Sequence, residues 1–447
     1  MAKDLTVGPP GKVLALFALP MVVSVIFQQF YNIADNIVAG RLIGDDALAA
    51  VSISYPVTMI YMAVALGINI GSSVVISQLF GGKQYGRMKS AVSTALLATG
   101  AAALVMTILG MVLMGPILRA LRTPEEIFGG TWSYLMIYTA GLSFIFLYNI
   151  CTGTFTALGD SVTPLVFLIF SSVGNVFLDI AFVSGLGMGV EGCAWATFVC
   201  QGAAALGAFA MLRRKLKTLP GEWGERFSKP LLKQIARLAV PGILQQSFIS
   251  IGNLVIQSIV NGYVLSSVIG GYGAAVKLNT FIITVLTTLS NSVSSFTAQN
   301  IGGSQAERVP LGWKAGMWVS LIISVPATVL YCFFGEIPMR LFATDSSPQV
   351  LAVGAEFLRI VAPFYLVAEL KLVSDGVLHG AGAVKCFMAA TFTDLLLRVA
   401  LAAVLPAWFG YSGIWMAWPV GWVISAGMSF WFYQSGRWKH VHLLEEA

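Results

Sequence analysis

Charge is scarce in this chain: 10% of its 447 residues are Asp, Glu, Lys or Arg, where a soluble domain carries about 25%. A water-soluble protein of this length needs several domains, each with a polar surface. There is too little polar sequence to cover them. Histidine is scarcer still, at three residues, and His440 and His442 both sit in the tail. No Walker A segment, no H-E-x-x-H and no G-x-S-x-G occurs. Transport powered by the chain's own ATPase, or an intramembrane hydrolase, therefore has no visible residue set, and no enzyme activity is expected. GMGVEG at 187–192 fits G-x-G-x-x-G, but a dinucleotide site needs a strand before it and a helix after it. Here it reads as the tight turn between two apolar spans, echoed by GYSG at 410–413. Cys151, Cys193, Cys200, Cys332 and Cys386 lie in or beside apolar spans without metal spacing, and read as small apolar residues. The opening MAKDLTVGPPGK runs straight into a long span with no small-residue cleavage site, so it does not read as a signal peptide.

What is abundant is apolar sequence: 57% of residues are hydrophobic and the mean hydropathy is +0.82. Windows of about 20 apolar residues signal membrane helices. Twelve are expected, at 13–39, 47–79, 90–118, 130–157, 163–185, 190–212, 233–261, 266–300, 312–334, 350–378, 386–408 and 412–435. The halves repeat at an offset of 221: QLFGGKQYGR at 78–87 against QNIGGSQAER at 299–308, with Pro20 on Pro241, Asn32 on Asn253, Gly189 on Gly410 and Gly192 on Gly413. Six spans per half is an even number, so both halves enter the membrane from one side. The fold class is therefore all-α integral membrane, with twelve transmembrane helices in two six-helix lobes related by a parallel internal repeat, the usual architecture of a secondary transporter. The division reads as an N-lobe at 1–212, a polar linker at 213–232 and a C-lobe at 233–447.

Basic residues set the expected sidedness. Of 26 Lys and Arg, 18 fall on the side of both termini and the linker, 4 on the other side and 4 within spans. Both termini are thus expected in the cytoplasm. The net charge of +6 reads as a topology signal. No basic stripe is interleaved with aromatics, so nucleic acid is not an expected partner.

An ionisable group inside a span costs roughly 2.5–3.5 kcal/mol on insertion scales, so each needs a reason. In the first half these are Asp35 in span one and Asp179 in span five. Asn175 lies four residues before Asp179, on the same helix face. One reading is a cation or proton site of carboxylate and amide oxygens; the other is polar glue between helices. The repeat supplies a control. The partners of Asp35 and Asp179 are Ile256 and Ala400, so the architecture itself does not demand these acids. In the second half, Lys277, Glu369, Lys371, Asp375, Asp394 and Arg398 lie in spans. Asp394 and Arg398, at i and i+4, read as a buried ion pair. Glu369, Lys371 and Asp375 line a cavity or pair with Lys277. His379 is helix glue or a proton relay, and Glu356 and Arg359 snorkel.

At this point the sequence resembles the multidrug and toxic compound extrusion (MATE) family, prokaryotic DinF-like branch, over essentially its whole length. FQQFYNIADNIVAGRLIGDDALAAVS at 27–52, QLFGGKQYGR, TALGDSVTP at 156–164 and GVEGCAWAT at 189–197 carry the resemblance together. It implies an N-lobe coupling-ion site at Asp35, Asn175, Asp179 and Thr197, the metal ligands if the ion is Na+, and a bend of the first helix at Pro20. Span seven lacks an acid, with Gln245, Gln246 and Gln257 as its polar residues, which departs from the second lobe of the NorM-like branch and counts against a C-lobe cation site of that kind.

The expectation is a cation-coupled antiporter of the inner (cytoplasmic) membrane, with Na+ or H+ as coupling ion and no cofactor. It exports amphipathic or cationic drugs and toxic compounds by alternating access of two lobes. Gln28, Tyr31, Asn32, Lys277, Glu369, Asp375 and His379 are the candidate substrate-cavity residues. The partners are small molecules and the lipid bilayer, and a monomer is expected. The alternative is a flippase of lipid-linked oligosaccharide or lipid in the same wider superfamily, favoured by a cationic central cavity with Lys277, Lys371 and Arg398.

Overall fold

Why these residues form helices follows from the solvent they face: in hydrocarbon every backbone N–H and C=O must be satisfied within its own segment. The computed structural model describes the backbone of residues 4–42, 45–263, 265–342 and 348–441, and the side chains of these except at 32–42, 45–48, 341–342 and 440. Among the described residues there is no strand. The helices are α1 (Pro10–Leu42), α2 (Asp45–Gly81), α3 (Tyr85–Ala120), α4 (Glu125–Ala140), α5 (Leu142–Ala157), α6 (Val162–Ile180) with a π-helical turn at Ala181–Gly185, and α7 (Gly189–Thr218). After the linker come α8 (Lys229–Asn261), α9 (Ser266–Gly302), α10 (Val309–Phe334), α11 (Glu336–Phe342), α12 (Pro348–Val361), α13 (Tyr365–Gly380), α14 (Val384–Val404), α15 (Pro406–Phe409) and α16 (Ser412–Gln434).

Among the described residues, ten helical segments are long and apolar enough to cross a membrane, and the pair α4 and α5 makes an eleventh, bent by 45°. α16, 23 residues long with four tryptophans, completes two sets of six. Spans four and ten, read from sequence as continuous, are each in two pieces. The first break falls at Gly141, where a Cβ would lie 3.1 Å from Phe198 Cδ2 on α7, so the ring of Phe198 occupies the space a side chain would need. Span ten breaks in a 3-10 turn, Ala362–Phe364, around Pro363, which has no N–H to continue the ladder. The expected turns hold: Gly189 and Gly410, partners in the repeat, both take φ 59°, the left-handed region open to glycine.

The outward faces are apolar and the polar residues face inward, the reverse of a soluble protein. On α3, Leu104, Val105, Ile108 and Val112 are exposed, a stripe suited to lipid. Two compact units form. One runs from Val23 to Leu244; the other joins Leu5–Val22 to the chain from Gln245 onward. α1 and α8 each change unit two or three residues after Pro20 and Pro241. Within the first unit, α2, α3, α4 and α5 share a core around Tyr61, Met114, Leu135 and Phe146. Within the second, Gly376 and Gly380 form a G-x-x-x-G face on α13 that abuts the carbonyls of Ser290 and Ser294 on α9, the small-residue contact by which membrane helices pack without a hydrophobic driving force.

Candidate functional site

The polar face of α6 is built by a simple period. Ser171, Ser172, Asn175 and Asp179 are buried, while Val166, Ile169, Phe170, Val173 and Phe177 on the far side line an outward groove. Asn175 is 4% exposed and Asp179 1%. The Asn175 amide satisfies its surroundings when its nitrogen is turned to Asp179 Oδ2 (3.2 Å) and its oxygen to the backbone N–H of Thr197 on α7 (3.2 Å). The opposite orientation sets the amide oxygen against the carboxylate, and brings the nitrogen to Thr197 Oγ1 only at 3.5 Å. Amide orientation is assigned from just such partners. The Tyr31 hydroxyl of α1 lies against the same amide.

Three of the four residues that the resemblance assigns to an ion site therefore meet in the first unit, joined by Tyr31. The fourth, Asp35, is on α1, and its side chain lies outside the described residues, as does that of Asn32. Gln28 is exposed on α1. Tyr31, read from sequence with the substrate cavity, sits beside Asn175. No spacing rule predicts that contact, because it joins residues 144 apart. Pro20 lies inside α1, which is helical without a break from Pro10 to Leu42.

The second unit gathers a different polar set. Lys371 Nζ meets Asp375 Oδ2 at 2.8 Å and Arg398 Nη2 meets Asp394 Oδ2 at 2.8 Å, all four buried. Each pair is at i, i+4 on its own helix. Ser429 on α16 donates to Asp375 Oδ1 (2.6 Å), and the Arg398 guanidinium stands 4.3 Å from the Trp418 ring centroid. The expected Asp394–Arg398 pair is thus present. Lys277 is exposed on α9, and Lys371 takes Asp375 as its partner instead. Glu369, fully buried, accepts from Ser324 Oγ (2.5 Å). His379 Nδ1 shares a hydrogen bond with Ser294 Oγ (3.1 Å). Glu356 accepts from Ser412 and from Tyr411 (3.2 Å), pinning the α15–α16 turn.

Two features escaped sequence reading. Asp160, in the turn before α6, caps that helix by accepting from Thr163 N–H (3.1 Å) and Oγ1 (2.9 Å), and pairs with Lys215 of α7. Burial alone would push its carboxyl up, but Lys215 and Thr163 hold it below the usual carboxylate range. Lys89, counted above only for sidedness, is buried and donates to Leu219 O (2.9 Å) and Gly221 O (2.7 Å). Both contacts span more than 50 residues, beyond any local pattern.

Comparison with known proteins bears on the family and the fold. The family model MatE matches residues 20–211 and 241–404, one stretch in each half. The chain is 30% identical to the probable multidrug resistance protein YpnP of Bacillus subtilis (strain 168), over 100% of this chain and 99% of that one. It is 27% identical to a protein of Shewanella oneidensis named FAD transporter, over 77% and 76% of the two chains. Among solved structures, an outward-facing multidrug resistance MATE family transporter of the MOP superfamily superposes with a TM-score of 0.91 at 22% identity, covering 98% of each chain.

Proposed function

The chain belongs to the MatE family, and from that premise we propose that it is a cation-coupled exporter of amphipathic or cationic small molecules. Its coupling ion would bind at Asp179, Asn175 and Thr197 in the first unit, together with Asp35 and Tyr31 of α1. The observation that carries the reading is the buried Asn175–Asp179 face, set in a span where lipid-facing sequence would be apolar. Carboxylate, amide and hydroxyl oxygens are hard donors suited to Na+. The same carboxylate can instead take a proton, so Na+ and H+ remain the two coupling candidates. Filling the site would draw α1 toward α6 and α7 through Tyr31, and the two lobes would alternate between inward and outward access. We place it in the cytoplasmic membrane, as its bacterial relatives support, with both termini in the cytoplasm on the bias of Lys and Arg.

The buried charges of the second unit weaken the lipid-linked sugar reading, which then rests on the exposed Lys277 alone. Lys371 and Arg398 each have a carboxylate at 2.8 Å, so neither presents a bare cation to a phosphate. The relative named FAD transporter favours a second reading, export of an anionic dinucleotide. Transport into proteoliposomes under separately imposed Na+ and H+ gradients, with a panel of lipophilic cations and FAD, tests both. Gradient-driven movement of cations supports the first reading. Movement of FAD alone supports the second.

A further inference from the structure

The segment ahead of α1 is docked into the second unit. Leu5 is fully buried there, in the apolar cluster that holds Val293 and Phe296 of α9, Val377 of α13 and Trp438. Its backbone is gripped on both sides: Leu5 N–H donates to Gln299 Oε1 (2.9 Å), and Asn300 Nδ2 donates to Leu5 O (3.3 Å). Arg308 closes the grip, with Nε donating to Asn300 Oδ1 (2.8 Å) and Nη2 to Gly8 O (2.8 Å). Gly8 takes φ +96°, where a side chain would be strained, and the chain turns there into α1.

Gln299, Asn300 and Arg308 all belong to the second copy of the motif that announces the repeat, QNIGGSQAER. The segment ahead of α8 is tied down in an analogous way, within the first unit. Lys89 holds Leu219 and Gly221, Ser93 donates to Arg226 O (2.7 Å), and Thr94 Oγ1 accepts from Ser228 N–H (3.0 Å). Each half thus has its lead-in segment anchored before its first helix begins.

We propose that Leu5 and the Gln299–Asn300–Arg308 cluster form a plug and socket that fixes the start of α1 in the second unit, making them positioning residues for transport. This rests on the ion-site reading above, since α1 carries Tyr31 against Asn175 in the first unit. A helix anchored at its start can pass displacement at Tyr31 into a change of state. A helix free to slide at its start dissipates that displacement.

The test compares Leu5→Ala, Leu5→Met and Arg308→Gln with the unaltered full chain in proteoliposomes. In Leu5→Ala and Arg308→Gln, maximal turnover falls about tenfold while the half-saturating concentration of coupling ion changes less than about twofold. Ion leak without substrate rises, and deuterium exchange at the Leu5 amide accelerates. Leu5→Met refills the socket and restores turnover, which a general loss of folding would not permit. Full turnover with unchanged coupling in Leu5→Ala or Arg308→Gln overturns the plug. Asp179→Asn, run beside them, keeps the two readings apart: full coupling in that variant overturns the ion site, whatever the plug variants do.

Discussion

At the scale of single residues, Asp179 and the paired acids Asp375 and Asp394 are all buried in spans, and their surroundings set them apart. Asp375 and Asp394 each face a cation at 2.8 Å. Asp179 faces an amide. Removing the charge from a paired acid strands its partner, which costs about 3–5 kcal/mol when both are buried. Asp394→Asn should therefore lower the melting temperature in detergent and reduce the yield of monodisperse protein. Asp179→Asn should leave melting nearly unchanged while ion-coupled export falls about a hundredfold in proteoliposomes. Normal coupled export by Asp179→Asn, with export lost in a well-folded Asp394→Asn, would move the coupling site to the second unit. Asp160 makes a pH prediction. Its folded carboxyl titrates below the usual range, so its pairing stabilises the protein above the unfolded value of about 3.9. That contribution is lost as pH falls through the folded value. The melting difference between the unaltered protein and Asp160→Asn should be clear at neutral pH, begin to shrink as pH falls through about 4, and vanish only below the lower, folded value. A difference independent of pH would mean that the Lys215 pairing contributes nothing. The Asp394–Arg398 pair was legible in the sequence because helix geometry alone places i and i+4 together, whereas Lys371, read with Lys277 or a cavity, pairs with Asp375 at the same spacing. Tyr31 against Asn175 was not legible, because only packing brings α1 to α6.

At the scale of elements, hydropathy finds helices but not their breaks. The window at 130–157 carries no charged residue, and nothing in it reveals the ring of Phe198, on another helix, close beside Gly141. Pro363 marks the other break through its missing N–H, yet Pro20, Pro56 and Pro241 lie inside unbroken helices, so the residue type alone does not reveal it. One close helix contact does follow small residues that recur at four, Gly376 and Gly380. A Cβ at Gly376 would lie 2.5 Å from Ser290 O, closer than real contacts allow. Gly376→Leu should therefore force α13 off α9, measured as loss of a monodisperse peak in size-exclusion chromatography. A stable, well-folded Gly376→Leu protein would show that this close approach is dispensable. The MAKDLTVGPPGK opening carried no periodic signal, and its partners Gln299 and Asn300 lie almost 300 residues away. Its docking belongs to tertiary structure alone.

At the scale of the whole molecule, duplication was the most legible property, because an offset of 221 aligns turns, prolines and motifs without reference to any contact. Sidedness rests on the same sequence through its basic residues. In a background lacking cysteine, Glu222→Cys in the linker should react with an impermeant thiol reagent only from the cytoplasmic side, and Thr123→Cys between α3 and α4 only from outside. The reverse pattern would invert the topology. The proposed exchange of ion for substrate is most directly tested by one comparison: counterflow of a lipophilic cation in proteoliposomes while the Na+ or H+ gradient is reversed, with the unaltered protein beside Asp179→Asn. The account predicts that the direction of substrate flux follows the gradient in the unaltered protein and that Asp179→Asn shows no gradient-driven flux. Flux that ignores both gradients, or that follows them equally well without the Asp179 carboxylate, would contradict it.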